Sequence, residues 1–428
     1  MLGKGPMTTK SPAPPVLTET APVRPALTGP LRRLLVWTFP ANIGMYLLWG
    51  AIPGILLPLQ VAAIDEDAKA ANLAVVATIG ALAAMLAQPL AGAISDRTRS
   101  RFGRRGPWIV GGALTGGLAL LGLASANTLV QITIAWTITQ IAYNFAQGPL
   151  AAVLPDRVPP ASRGVFSAVT GTGLMLGALG GQVVATRFAD DLPAGYLTFA
   201  GLALVALTLF VVCNPDRDNR ATPRRPFSLR AVVDSYWFDP RRHPDLGWAF
   251  LGRLLLYLGY FIVVNYQLYI LQGRVGLGAA AIDYVPVVGV ASLGGTVLAT
   301  VVSGPLSDRL GRRRIFVYAA AAMLATALLL PWIWPTKPGM LAFALLSGLG
   351  FGVFQAVDTA LITEVLPAEQ DFGKDVGVVN IAATLPQVLA PAAAGAIVAA
   401  AGYAPLFPVG IALVLLGGLA VVPIKSVR

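Results

Sequence analysis

Residues 92–106, GAISDRTRSRFGRRG, and residues 304–314, GPLSDRLGRRR, decide how this chain is read. Both pass from small apolar residues into Ser-Asp-Arg and then into Gly-Arg-Arg. The triplet Ser95-Asp96-Arg97 returns as Ser307-Asp308-Arg309, 212 positions later, and Val153-Leu154-Pro155 returns at the same offset as Val365-Leu366-Pro367. Two matches at one spacing mark an internal repeat, which must be recognised before any site is interpreted.

Working outward from these two loops, the chain is a series of charge-free runs. A membrane helix needs ~20 mostly apolar residues, because the hydrocarbon is ~30 Å thick and each residue rises ~1.5 Å. Runs without Asp, Glu, Lys or Arg cover 34–64, 70–95, 164–186 and 192–214, and 106–155 is long enough for two spans with a turn near Ala126-Asn127. The second half repeats the series at 254–273, 284–307, 315–336 and 338–357, with two more spans in 376–424. The expected fold is therefore all-α and integral to a membrane, with twelve transmembrane helices as two six-helix pseudo-repeats around a central cavity.

Composition agrees. The 428 residues are 56% hydrophobic and only 12% charged, too few charges to coat a water-facing surface. Cys213 and His243 are the only residues of their kinds, which excludes an intrachain disulfide and leaves little for multi-thiolate or histidine-based metal sites. No cofactor or metal is called for. The net charge of +11 could suggest nucleic acid, but its distribution argues otherwise. With both termini on one side, 26 of the 31 Lys and Arg residues fall in segments facing that side; Lys69, Arg187, Arg274 and Lys337 face the other, and Arg253 lies within a span. Basic residues near span ends stay cytoplasmic, so both termini are expected inside, in a multi-pass protein of the plasma (inner) membrane. Positive charge spread over many short loops is not a nucleic-acid recognition surface.

Five segments follow. Residues 1–33, rich in Pro and Thr, have no apolar core of a signal peptide and read as a disordered cytoplasmic tail. Residues 34–213 and 247–424 are the two six-helix halves, 214–246 a cytoplasmic linker with a short surface helix near Leu229 to Tyr236, and 425–428 a cytoplasmic tail.

On these motifs the chain resembles the major facilitator superfamily. The 304–314 stretch is similar to that family's signature loop between the second and third helices of a half. The longer N-terminal copy, and VLPAEQDFGKDVGVVNIAATLPQVLAP (365–391), resemble bacterial relatives of the sucrose-transporter-like and glycoside-transporter branch. The resemblance covers about Leu34 to Ile424. It implies a secondary active transporter with a substrate site between the halves near the midplane. It also implies a cytoplasmic gate at the signature loops, assigned here to Asp96, Arg97, Arg104, Asp308, Arg309 and Arg312, with Glu364 as a further gate partner. The same arginines would also fix topology, but topology needs neither the Asp nor the glycines. Two departures stand out. Many proton-coupled members carry an Arg ahead of the Gln-Gly of the fourth helix, where this chain has Asn144-Phe-Ala-Gln147-Gly148. Exporters carry Gly-Pro at the centre of a fifth-helix glycine pattern, where this chain has Gly177-Ala178. Small residues there also serve helix packing, whatever the transport direction.

Periodicity supplies an independent reading, since residues at i, i+4 and i+7 share a helix face. Asn42, Tyr46 and Trp49 align in the first helix; Thr133, Trp136, Thr137, Gln140, Asn144 and Gln147 in the fourth; Arg253, Tyr257, Tyr260 and Gln267 in the seventh; Gln355, Asp358 and Thr359 in the tenth. Asn380, Thr384 and Gln387 align in the eleventh. Such amides and hydroxyls also bond neighbouring helices, at ~1 kcal/mol or less per contact. Four stripes on four equivalent helices fit a shared aqueous cavity better. Asn42, Tyr46, Trp49, Gln140, Asn144, Gln147, Tyr257, Tyr260, Gln267, Gln355 and Asn380 are the expected substrate contacts.

A charge at the centre of a membrane helix costs ~2.5 to 3.5 kcal/mol even on insertion scales. Arg253 and Asp358 are each expected ~10 Å inside the membrane from the cytoplasmic side, at ~1.5 Å per residue, so they can pair. The pair reads equally as a fixed bridge and as a proton switch.

The leading reading is a monomeric transporter in the lipid bilayer moving a small polar, sugar-like solute by alternating access, coupled to protons. A proton-linked exporter of a drug or secondary metabolite is the alternative. A membrane enzyme or sensor finds no nucleophile and base constellation, and an ATP-driven pump finds no phosphate-binding loop. The charge asymmetry predicts that a cysteine placed at Thr222 in intact cells is inaccessible to an impermeant thiol reagent added outside. Labelling there before lysis would overturn the topology.

Overall fold

Every stretch that crosses hydrocarbon must satisfy its own backbone hydrogen bonds, and an uninterrupted apolar run does so as a helix. The computed structural model describes residues 29–221, 244–365 and 372–424, with the side chains of 308, 359–360, 362–365 and 372–380 outside that description. The described residues are helices joined by short turns. In order they are α1 (Gly29–Ala51), α2 (Leu57–Ile64), α3 (Lys69–Arg97), α4 (Gly106–Ala124), α5 (Leu129–Arg157), α6 (Arg163–Ala185), α7 (Leu192–Cys213) and α8 (Pro244–Val264). Then follow a single turn, α9 (Gln267–Tyr269), and α10 (Ala281–Leu310), α11 (Arg313–Ile333), α12 (Lys337–Val365), α13 (Phe372–Ala401) and α14 (Leu406–Leu419).

Among the described residues, ten helices are long and apolar enough to cross a membrane. Leu129–Arg157 is 29 residues long but falls outside those ten, and Leu406–Leu419 has 14 residues. The polar stripe read in the sequence explains α5: Thr, Gln and Asn lower its apolarity while its length stays that of a span. A π-helical turn at Ile52–Leu56 joins α1 to α2 without a break, around Pro53. Helix α1 starts five residues ahead of the charge-free run because Pro30 suits a first helical turn and Arg32 and Arg33 extend it. The segments 1–28 and 222–243, including the expected surface helix near Leu229 to Tyr236, lie outside the described residues, as do 425–428.

The surface is apolar. Leu118, Val130, Val301 and Ile333 are each about two-thirds exposed, among dozens of other outward-facing Val, Leu and Ile residues. Such a belt is stable only against lipid. Inside, polar groups are spent on one another: Gln60 donates to the carbonyls of Leu123 (2.8 Å) and Ala126 (3.2 Å) and accepts from Tyr196 Oη at 2.7 Å, tying α2 to α4 and α7.

Packing partners recur between the two sets of helices. Helix α1 packs on α6 and α7, α3 on α5, and α4 on α5 and α7. In the second set α8 packs on α13 and α14, α10 on α12, and α11 on α12 and α14. The sets meet along α3 and α13 and along α6 and α10. At the end away from the Ser-Asp-Arg loops this seam is closed. There Tyr266 Oη donates to the carbonyl of Ala70 at 2.9 Å and Tyr269 Oη to that of Pro58 at 2.8 Å. The glycines of α6 serve close approach: a Cβ at Gly181 would run into the carbonyl of Leu47 on α1, and one at Gly177 into Ile43 and Tyr46. The exporter-like pattern is thus accounted for by packing.

Gly181→Val is therefore expected to lower stability by ~2 kcal/mol or more through overpacking against backbone. Gly171→Ala, which meets nothing within 4 Å, should be neutral or stabilising by up to ~1 kcal/mol. Thermal unfolding of purified protein in detergent compares the two.

Candidate functional site

Helices α1 and α5 bring three of the expected residues into direct contact. Trp49 Nε1 donates to Gln147 Oε1 at 3.1 Å, and Gln147 Nε2 donates to Tyr46 Oη, also at 3.1 Å. The indole of Trp49 lies edge-on to Trp136 (6.3 Å between centroids) and Tyr143 (6.4 Å). These contacts form because positions 46 and 49 on α1 and 136, 143 and 147 on α5 face each other across the helix pair. Gln140 is half-buried on the same stripe.

Asn42 and Asn144 are placed differently. Each is buried and donates to the carbonyl one turn earlier on its own helix, Asn42 to Thr38 and Asn144 to Gln140, both at 2.8 Å. Asn42 packs against Gly173 of α6. Neither touches the Tyr46, Trp49 and Gln147 group through a hydrogen bond.

In the second set the counterpart is aromatic. Tyr260 stacks on Phe351 at 4.8 Å, and Tyr257 lies edge-on to Phe351 and Phe354 at 5.5 and 5.6 Å. Beside them, Arg253 Nε lies 3.2 Å from Asp358 Oδ2, with side chains 13% and 6% exposed. Among the described residues Arg253 Nε makes no well-aligned hydrogen bond, so the contact is an ion pair of imperfect geometry. The guanidinium also lies 5.6 Å from the centroid of the Tyr257 ring. Asp358 is the one buried carboxylate among the described residues. Opposite charges brought to matched depth by antiparallel helices neutralise each other where water is scarce.

The remaining expectations scatter. Helix α8 ends at Val264, and Gln267 lies beyond a two-residue turn, at the start of α9. Gln355 is exposed, as are Arg309 and Arg312. Asp308, Glu364 and Asn380 lie in α10, α12 and α13, with their side chains outside the described residues.

The N-terminal signature loop is a charge cluster. Arg105, buried, pairs with Asp96 at 2.5 Å and with Asp156 at 2.9 Å; Arg104 pairs with Asp156 at 2.7 Å and lies 3.9 Å from Asp96. Arg97 donates to the carbonyl of Ala93 at 2.7 Å on its own helix. Gly103, at φ +77, turns the loop tightly enough for Asp216 to sit where its side chain would be. The sequence reading missed Asp156 and gave Arg105 no gate role, although Asp156 directly follows the repeated Val153-Leu154-Pro155. It also missed Tyr143, which stands seven residues after Trp136 on the same stripe.

The family model of the Major Facilitator Superfamily matches residues 34–337 and 287–427. The chain belongs to this superfamily. It is a membrane transporter and not an enzyme. Among Major Facilitator Superfamily relatives it is similar to MFS transporter asaE of Aspergillus flavus, 27% identical over 244 residues, which are 56% of this chain and 52% of that one. It is also similar to sucrose transport protein SUC4 of Arabidopsis thaliana, 27% identical over 186 residues, 37% of this chain and 36% of that one. The match thus spans about half or less of these relatives' lengths. The fold is shared with the nucleoside transporter NupG (TM-score 0.74, 14% identity, 92% of this chain and 100% of that one). It is shared also with the human organic anion transporter MFSD10 (TM-score 0.64, 17% identity, 92% and 100%).

Because Asp156 is 20% exposed and holds two arginines while Asp96 is 54% exposed, Asp156→Ala should cost ~1 to 3 kcal/mol and Asp96→Ala under ~1 kcal/mol. Detergent-phase thermal unfolding of both variants checks the order.

Proposed function

We propose that this transporter is a secondary active carrier that moves a small polar, sugar-like solute by alternating access, coupled to protons. The twelve spans comprise the ten long apolar helices together with Leu129–Arg157 and Leu406–Leu419, arranged as two six-helix pseudo-repeats. The recurring packing partners support that arrangement. Both termini and the 214–246 linker are cytoplasmic, the protein sits in the plasma (inner) membrane as a monomer, and its substrate passes between the halves. The likeness to a sucrose transport protein supports the sugar-like solute, as do amide and hydroxyl groups set among indole and phenol faces on α1 and α5. Aromatic faces take the apolar side of a sugar ring while the amides address its hydroxyls.

The observation that carries the coupling is the Arg253–Asp358 pair, a buried carboxylate whose partner stands on a different helix. Burial alone favours the protonated acid, and a nearby guanidinium favours the ionised one. Relative motion of α8 and α12 between the two cavity states then changes proton affinity, and a coupling ion needs that difference. The closed seam at the far end is held by tyrosine hydroxyls on backbone carbonyls, contacts that separate without stranding a charge. The Gly-rich α6 packs tightly on α1 and lends the exporter reading no separate support.

In proteoliposomes, Asp358→Asn is expected to abolish accumulation driven by a pH gradient while solute counterflow is partly retained. Arg253→Ala alone should be less stable than the double replacement, because it leaves an unpaired buried charge, a cost of ~3 to 5 kcal/mol. Undiminished pH-dependent accumulation by Asp358→Asn would make the pair structural.

A further inference from the structure

A charged cavity of about 700 Å³ opens at the end of the bundle that carries the signature loop, between the start of α1, the start of α4, the ends of α5 and α7 and the strap that follows α7. Five arginines border it against two aspartates. Both aspartates are already engaged. Asp156 holds Arg104 and Arg105. Asp216 accepts from the backbone N–H of Arg104 at 3.2 Å and of Arg217 at 2.9 Å.

That leaves Arg33, Arg157 and Arg217 around the cavity, and among the described residues none of the three has a carboxylate within ion-pair distance. Among the described residues, Arg157 donates only to the carbonyl of Asn214, at 2.9 Å. Arg157 lies past the charge-free run 106–155. Arg33, Arg157 and Arg217 border one cavity, so their like charges repel one another across it. Five guanidinium groups against two carboxylates leave this concave, partly apolar site with a net positive charge, which favours an anion.

The site is built, because the strap is clamped. Asn219 accepts from the N–H of Ser100 at 3.0 Å and donates to the carbonyl of Thr98 at 2.8 Å, while Asp216 fills the notch at Gly103. The floor is apolar, from Leu34, Ile109 and Phe210. On the wall, Asn214 Oδ1 is buried and has no donor among the described residues, so it is suited to a hydroxyl beside the anionic group.

We propose that this cavity binds a phosphate-bearing anion, held by Arg33, Arg157 and Arg217 next to the Asp96, Arg105 and Asp156 cluster. Phosphate chemistry could arrive as the headgroup of an anionic phospholipid or as a free phosphate. Native mass spectrometry of the purified full chain, titrated separately with phosphatidylglycerol, phosphatidylcholine and inorganic phosphate, distinguishes them. Arg33 and Arg217 are exposed, so the double variant Arg33→Ala/Arg217→Ala should still fold. The wild type is expected to take up one phosphatidylglycerol in preference to phosphatidylcholine, with roughly tenfold weaker binding in the double variant and unchanged binding in Arg32→Ala, a neighbouring exposed arginine outside the cavity. Binding of inorganic phosphate with the same loss, and no lipid preference, would support the site with a free anion as its source. Equal binding by wild type and double variant in every arm, or an equal loss in Arg32→Ala, would overturn it.

Discussion

Hydrocarbon solvates neither a charge nor an unpaired peptide group, and every level of this molecule answers to that fact. It forces the apolar runs into helices and sends most arginines to the connecting segments. The few polar groups that remain inside must satisfy one another. The Gln60 bridge to Tyr196 and two carbonyls shows the rule at a structural position. The Arg253–Asp358 pair shows it at a position where a change of partner distance would have consequences.

Close packing follows from the same constraint. Lipid gives two helices no hydrophobic reason to associate, so contact depends on backbones approaching closely. Gly177 and Gly181 on α6 against Ile43 and Leu47 on α1, and Gly348 and Gly352 on α12 against Ser292 and Thr296 on α10, provide that approach in the two sets. Between the sets the contacts are fewer and lie on α3 with α13 and α6 with α10. Two firmly packed units with a lighter seam are the arrangement that rocking one unit against the other requires.

The sequence made the helices legible because the absence of charge over ~20 residues is nearly sufficient for a span. The turn read near Ala126-Asn127 falls between Ala124 and Leu129, where Thr128 caps α5. Tyr46, Trp49 and Gln147, aligned by periodicity, meet in the structure, and other members of the stripes have different surroundings for physical reasons. A stripe on one helix does not say which neighbour it faces: Asn42 and Asn144 lie on the stripes, and their amide N–H groups donate to carbonyls of their own helices. Nor does a stripe reveal a break, so Gln267 was carried past the end of α8. Asp156 escaped because its importance arises from Arg104 and Arg105, about fifty residues away in sequence and joined to it only by the fold.

Movement of solute and proton together is tested most directly by the external pH of lightly buffered, de-energised membrane vesicles containing the protein when a panel of small glycosides is added, one at a time. The expected result is a transient alkalinisation with a transported glycoside, abolished by a protonophore and absent from vesicles without the protein. A glycoside that equilibrates through the protein with no proton movement would contradict it.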